Sequence, residues 1–292
     1  LQNYRSGSGV FERAIAWAGR VLGAPIAGAE LLPGGLTSTM LALTDRTGQR
    51  TVLRLMTEDP WRRHGAELTS RERAAQLELA TTPVPAPSSV ALDAAGEHGG
   101  IAAHLMNWLP GTPASSANSK QVAAMAAMLA LIHDIEPSHP FRPYQSWAPP
   151  AKWVVPEWSR HPGSWKRAFD LLAAGPPDYT AVFLHRDFSH RNLLWRDDAI
   201  CGVVDWVETS SGPAWLDVAH AATNLAISFG PVPATDLLRK YAALTQRRPG
   251  RYWLVLDAAG FLPVPDSQPL FGARSELEGL DDWLHCVINF SF

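Results

Sequence analysis

The 292-residue chain carries 25 basic and 28 acidic side chains, a net charge of −3, and 46% of its residues are hydrophobic. That length admits one large core or two lobes, and the near-neutral balance lacks the positive excess of a nucleic-acid binder, so no nucleic-acid partner is expected. The longest unbroken apolar run, Val122 to Ile132, is too short to cross a bilayer, and two distant cysteines, Cys201 and Cys286, make neither a disulfide framework nor a zinc site, so no membrane span and a cytoplasmic setting are expected.

In chain order, the opening LQNYRSGSGV lacks the basic start and apolar stretch of a secretory signal, and Ser6 to Gly9 read as a flexible leader. Val10, Ile15, Ala18, Val21 and Leu22 then recur close to helical spacing until Gly23 stops the helix. Two strand-like runs, from Met40 and from Gln49, flank the turn signal DRTG and predict a hairpin. From Ser70 the segment SRERAAQLELA is rich in helix formers, and the prolines of TTPVPAPSS end it. GGIAAHLMNW reads as a further strand, and the Pro, Gly and Ser of LPGTPASSANS mark the lobe boundary. Beyond it, Val122, Met125, Met128, Leu129 and Ile132 predict an amphipathic helix behind a Ser or Asn cap. Residues 137–165 are irregular, proline-rich and hold Trp147, Trp153, Trp158 and Trp165; from Trp215 onward the patterning is mostly helical. The order is that of an α+β chain with a small β-rich lobe over residues 1–106 and a larger, mostly helical lobe over 107–292.

The densest chemistry lies in FLHRDFSHRNLLW, residues 183–195, where the polar octet HRDFSHRN is a loop between two apolar runs. It satisfies H-R-D-x-x-x-x-N, the spacing of a phosphoryl-transfer loop: an aspartate that aligns the acceptor hydroxyl and takes its proton, then an asparagine that binds metal. Asp205, at the end of the short strand CGVVD, supplies a second carboxylate, so Asp187, Asn192 and Asp205 offer hard oxygens suited to Mg²⁺. Two alternatives attach to the same residues. His185, Asp187, His190 and Asp205 could ligate a hydrolytic zinc or manganese centre, or the polar groups could serve only to satisfy a buried loop's backbone.

The remaining parts a kinase needs have candidates. The strand period places Arg54 between Val52 and Met56, amid apolar neighbours where it needs an anion, and Glu72 shares a helix face with Ala75 and Leu79 that turns its carboxylate inward. An Arg54–Glu72 pair would hold the guanidinium towards nucleotide phosphates. Gly34, Gly35, Thr37 and Ser38 could bring backbone amides and hydroxyls to phosphate oxygens, although a Gly-Gly turn is a common connector between strands. No P-loop string occurs in the chain. His133 reads as a hydrogen-bonded packing residue, and Asp257, Asp266, Glu276, Glu278, Asp281 and Asp282 are candidates for an acidic cup around an amino-sugar cation.

Together LPGGLTST, TVLRL, HLMNWLPG, LALIHDI, FLHRDFSHRNLLW, GVVDW and GPAWLDVAH resemble the aminoglycoside phosphotransferase family, small-molecule and antibiotic kinases of bilobal protein-kinase-like fold. The resemblance implies that Asp187 is catalytic, that Asn192 and Asp205 bind Mg²⁺, that Arg54 meets the α- and β-phosphates of ATP or GTP, and that Glu72 orients it. It also implies that His104 to Trp108, Met106 included, form a hinge for the base edge, and that His185 and Asp217 stand behind the catalytic loop. The partners it implies are a nucleotide and a small-molecule hydroxyl acceptor, an aminoglycoside-type antibiotic or related natural product first among them; a monomer or weak dimer is expected. There are three departures from the usual pattern: lysine is common where Arg54 stands, glycine is more usual at Arg186, and a Pro-Gly is replaced by His190 and Arg191. A nucleotide-binding pseudokinase and a kinase of amino alcohols or metabolite sugars are the neighbouring readings.

Overall fold

The structure, a computed structural model, describes residues 8–34, 37–264 and 273–289. Gly35 and Asp266 lie outside these residues, as does most of the expected leader, whose last residues, Ser8 and Gly9, belong to the first helix. The chain divides into two compact units, Leu1–Pro110 with Val204–Glu208, and Gly111–Val203 with Thr209–Phe292.

The first unit contains α1 (Ser8–Leu22), β1 (Ile26–Leu31), β2 (Thr39–Asp45), β3 (Arg50–Leu55), α2 (Gly65–Leu79), β4 (Ser89–Asp93) and β5 (Ala103–Asn107). Its strands form an antiparallel sheet in the order β1-β2-β3-β5-β4. Strand alternation sorts the side chains. Leu41, Leu43, Leu53, Leu55, Ala103 and Leu105 share one face and pack against Ala14, Trp17 and Ala18 of α1. Full burial of each of those leucines contributes about 1.5–3 kcal/mol. The opposite register carries Arg54 beside His104 and Val52 beside Met106, so the polar members of both strands meet α2. Two strands of this unit carry no strand signal in the sequence. β1 is built from Ala and Gly, poor strand formers that serve as an edge beside β2, and β4 follows the proline-rich stop without an alternating pattern of its own. Helix α2 also starts five residues before Ser70, behind a 3₁₀ turn over Trp61–His64.

The second unit contains β6 (Thr112–Pro113), α3 (Ser119–His133), α4 (Pro162–Ala173), β7 (Ala181–Leu184), β8 (Leu193–Arg196), β9 (Ala199–Val203), β10 (Ser210–Pro213), α5 (Ala214–Phe229), α6 (Pro231–Thr245), α7 (Arg251–Gly260) and α8 (Arg274–Asn289). Asn118 caps α3 through a reciprocal bond set with Gln121. Helix α5 is buried all round from Ala214 to Ile227 and packs on α6, α7, α8 and β7, which makes it the core of this unit. Helix α4, which the sequence reading left irregular, begins at a proline in its first turn and buries Trp165. The two strand pairs β7–β10 and β8–β9 frame the octet loop. Among the described residues no helix is long and apolar enough to cross a membrane, and Cys201 and Cys286 are not joined in a disulfide.

Candidate active site

In the first unit, Arg54 is 3% exposed and engages every anion near it. Its Nη2 donates to Glu72 Oε1 at 3.1 Å and to Asp205 Oδ1 at 3.0 Å, its Nη1 donates to Ser38 Oγ at 3.0 Å, and its Nε lies 3.0 Å from Glu72 Oε2. Burial works against the guanidinium charge, and the Asp205 and Glu72 carboxylates outweigh it, so its pKa rises. Burial likewise pushes Glu72 up, but Arg54 and the His104 hydrogen bond bring it below the ordinary carboxylate value. Asp205 keeps 28% of its side chain exposed and sits at φ 70°, a left-handed conformation rare for a residue with a Cβ. Segment 204–208 is tied to α2 through the Arg71 Nη1 bond to the Val207 carbonyl at 2.6 Å. Thr37 and Ser38 precede β2 and Gly34 adopts φ 100°, a conformation that suits glycine alone.

The hinge reading needs correction for His104 and Met106. Both lie in β5, whose backbone is paired on one side with β3 and on the other with β4. His104 is wholly buried, with Nδ1 2.9 Å from Glu72 Oε2 and Nε2 2.9 Å from Ser89 Oγ, so it braces Glu72. The Met106 sulphur accepts from Gln76. A central strand offers a ligand no spare backbone groups, and the ladder ends at Asn107, so the first residue beyond it is Trp108, whose ring carries the Arg50 guanidinium at 3.7 Å.

In the second unit the octet loop leaves β7 and is anchored at once. Asp217, wholly buried on α5, accepts from the His185 amide at 2.8 Å and from the Arg186 amide at 2.7 Å, while His133 Nε2 lies 3.4 Å away and its Nδ1 2.7 Å from Tyr241 Oη. Burial raises the Asp217 carboxyl, and the His133 bond and charge leave it net lowered. Arg186 has φ 74°, a left-handed conformation that favours glycine. Its guanidinium stacks over Trp147 at 3.7 Å and lies 3.7 Å from Asp257 Oδ1.

Asp187 follows, with 33% of its side chain exposed. Its amide donates to His185 Nδ1 at 3.2 Å. Asn192 Nδ2 donates to the Asp187 carbonyl at 2.8 Å and to its Oδ2 at 3.1 Å, which spends the amide nitrogen and leaves the Asn192 carbonyl oxygen to meet a hard cation. Asp205 offers a hard oxygen of the same kind in the first unit, and the chemistry of each of these donors suits Mg²⁺. Asp187 Oδ1 meets His220 Nε2 at 2.8 Å, and His220 Nδ1 meets Asp257 Oδ1 at 3.0 Å. Burial raises Asp187, and the His220 bond and charge, aided by His185 and Asn192, bring it net below its ordinary value.

His220 and Asp257 were not recognised as a pair in the sequence. The signal was available in part: Asp217, His220 and Asn224 stand at i, i+3 and i+7 of an otherwise apolar helix, a polar stripe that burial obliges to find partners. Both His220 nitrogens face carboxylates, which only accept, so both must donate. The Asn224 amide nitrogen donates to the His220 carbonyl at 2.9 Å, and its 3.1 Å approach to Nε2 carries no hydrogen bond while Nε2 donates to Asp187. Burial opposes the imidazolium, yet Asp257 and Asp187 outweigh it and push the pKa up to about 9 from 6.5. A raised folded-state value stabilises the fold fully below pH 6.5, and the contribution fades as pH climbs through 9. The shift corresponds to roughly 3 kcal/mol. We expect the stability difference between the wild type and His220→Gln, read from urea midpoints, to shrink by that order between pH 6 and pH 9.5; parallel curves would contradict it.

The zinc alternative does not assemble: among the described residues no group of three or more His, Cys, Asp or Glu could hold a metal ion. His190 is buried edge-on against Phe229, and burial with Arg191 beside it lowers its pKa to about 4. Arg191 bonds Asn224 and Ser228. Nor does the acidic cup form among the described residues. Asp257 serves His220, Asp281 accepts from Ser159, the Arg160 amide and Trp165, Asp282 pairs with Arg160 and His161, Glu278 pairs with Arg274, and Glu276 accepts from the Ala273 amide. Of the four tryptophans, Trp147 reaches the loop, edge-on to His220 at 5.2 Å; Trp165 is core, Trp158 packs on it, and Trp153 bonds the Ala148 carbonyl.

The sequence profile of the phosphotransferase enzyme family matches residues 28–253. N-acetylmuramate/N-acetylglucosamine kinase of Pseudomonas aeruginosa is 32% identical over 149 residues, which are 47% of this chain and 40% of that protein, so the match spans less than half of the relative. Among solved structures, aminoglycoside-3′-phosphotransferase of type VIII superposes with a TM-score of 0.64 at 20% identity, covering 86% of this chain and 99% of that one. A thermostable mutant of aminoglycoside phosphotransferase APH(4)-Ia, in ternary complex with ADP and hygromycin B, gives 0.60 at 16% identity over 85% and 89%. At these identities the likeness is one of fold, the α+β protein-kinase-like phosphotransferase fold.

Proposed function

Because the chain belongs to the phosphotransferase enzyme family, we propose that it is a small-molecule kinase that moves the γ-phosphoryl group of ATP or GTP to a hydroxyl of a sugar-like acceptor. The observation that carries this reading is the Asp187 carboxylate, part-exposed at the end of a buried hydrogen-bonded chain, with Asn192 fixed against it. In that role Asp187 aligns the acceptor hydroxyl and receives its proton as the new P–O bond forms. Arg54, held by Glu72, meets the nucleotide phosphates together with Ser38, Thr37 and Gly34, and the base edge meets the backbone from Trp108. Asn192 and Asp205 supply oxygen ligands to Mg²⁺, which when bound neutralises charge on the phosphates. Catalysis of this kind is positioning plus electrostatics.

Two observations favour a neutral or acidic sugar over a polyamine. Among the described residues Asp257, Asp281 and Asp282 are engaged by internal partners, and Arg186 stacked on Trp147 flanks the loop. Tyr144, Tyr179, Tyr252 and Trp253 pack edge to face, and Tyr179 remains 46% exposed, so ring faces stay open for stacking on sugar C–H surfaces. The relative named for a hexosamine substrate points the same way.

The test is nucleotide consumption with Mg²⁺ and either ATP or GTP across N-acetylglucosamine, N-acetylmuramate, aminoglycosides, macrolides and amino alcohols. Stimulation by the sugars is the expected result. Stimulation by aminoglycosides alone would overturn the acceptor assignment, and tight nucleotide binding with no transfer to any hydroxyl would favour a pseudokinase.

A further inference from the structure

Asp187 is the group the proposed reaction turns on, yet two other elements hold it. Asn192 pins Oδ2 at 3.1 Å from within the loop, and His220 of α5 pins Oδ1 at 2.8 Å. A carboxylate on a short side chain rotates freely unless both oxygens are held, and the octet supplies a hold on only one. His220 is itself fixed from three sides. Asp257 of α7 accepts from its Nδ1 at 3.0 Å, Phe261 stacks on the ring at 5.5 Å between centroids with planes 11° apart, and Trp147 closes the edge at 5.2 Å. The ring is 6% exposed at its side chain and Asp257 is 1%, so neither can exchange its partner for water cheaply.

We propose that His220, held by Asp257, is a positioning residue that clamps the Asp187 carboxylate in the one orientation from which it aligns the acceptor hydroxyl. This rests on the kinase reading given above. His220 touches neither nucleotide nor acceptor; it acts through Asp187. With both oxygens fixed by N–H donors, the lone pairs left on the exposed side of Asp187 are the ones an acceptor hydroxyl meets, and the proton released in transfer has a single destination. Trp147, with the Arg186 guanidinium on its face, joins the clamp to the residue that immediately precedes Asp187. The α5 stripe thus serves the loop twice, Asp217 at its backbone and His220 at its working side chain.

A clamp predicts a loss in kcat without a matching loss in nucleotide KM. With Mg·ATP and N-acetylglucosamine, or with water as acceptor if that sugar is not used, His220→Ala should lower kcat by about 100-fold, as expected for small misplacement of a reacting group. The KM for Mg·ATP should stay within threefold. His220→Gln, whose amide can donate to Asp187, should recover at least a tenth of wild-type kcat, and Asp257→Asn should fall between. The second readout needs no turnover: at pH 7.5 the His220 ring N–H protons should be visible by NMR and protected from exchange, and the Nε2 proton should be lost in Asp187→Ala. A folded His220→Ala protein with kcat within threefold of wild type would overturn the clamp, as would a Gln variant no better than Ala. Wild-type protein that binds Mg·ATP but transfers to no hydroxyl and to no water fails the kinase reading on its own; with turnover present, Asp187→Ala turning over like the wild type, or His220 ring signals unchanged in that variant, would overturn the clamp.

Discussion

Asp187→Ala is expected to lower turnover by about 1,000-fold, within the range for removing a positioned general base, while Mg·AMP-PNP still binds within a few-fold of wild type. The split follows from where the carboxylate sits. Among the described residues its hydrogen-bond partners are Asn192 and His220, both of the second unit, whereas Arg54 is held by Glu72, Ser38 and Asp205 of the first. Asp205→Ala should behave differently. Its carboxylate is both a proposed Mg²⁺ ligand and a partner of the buried Arg54 guanidinium, so its loss removes a hard oxygen and leaves Arg54 with Glu72 and Ser38 alone. Mg·AMP-PNP affinity should fall along with turnover, and calorimetric titration of both variants separates the two roles. Undiminished turnover in Asp187→Ala would remove that residue from the reaction, and equal nucleotide affinity in Asp205→Ala would remove Asp205 from the metal.

The parts of this arrangement that were legible from sequence share a physical property: short-range patterning encodes them. The octet states its own spacing, the β2–β3 hairpin carries a turn signal, α3 carries both a cap and a periodic face, and Arg54 and Glu72 each stand at an inward register of their element. What escaped depends on which elements become neighbours. His220 meets Asp187 across 33 positions and Asp257 across 37, and no local pattern connects the three. The assignment of His104 and Met106 to a nucleotide hinge went wrong for the same reason. A strand sequence does not reveal whether it has one neighbour or two, and β4, which closes the second side of β5, left no mark in the sequence. The acidic cup does not form among the described residues because charge composition says nothing about pairing: Asp281 and Asp282 take arginine, histidine and tryptophan partners from distant residues 160–165.

Asp217→Ala is expected to be the most damaging single change to stability, about 3–5 kcal/mol, because it strands buried partners rather than merely removing a bond. The carboxylate is 0% exposed and accepts from two consecutive backbone amides, those of His185 and Arg186, while His133 Nε2 approaches at 3.4 Å. Without it, two buried N–H groups lose their acceptor and nothing replaces them from solvent. Arg186 would also lose the bond that holds it at φ 74°, a conformation costing about 1–3 kcal/mol for a residue with a side chain. The loop should then relax, taking Asp187 with it, so turnover should drop even at temperatures where the protein remains folded. Asp217→Asn keeps one acceptor oxygen but turns a donor against one of the amides, and should fall between Ala and wild type. Tyr241→Phe is the control: it removes the 2.7 Å bond to His133 Nδ1 on the far side of the same hydrogen-bonded chain and leaves Asp217 in place, an expected loss of about 1 kcal/mol. Urea denaturation followed by far-UV circular dichroism ranks the three. If Asp217→Ala costs no more than Tyr241→Phe, the loop backbone is held by something other than this carboxylate, and the anchoring role given to Asp217 fails.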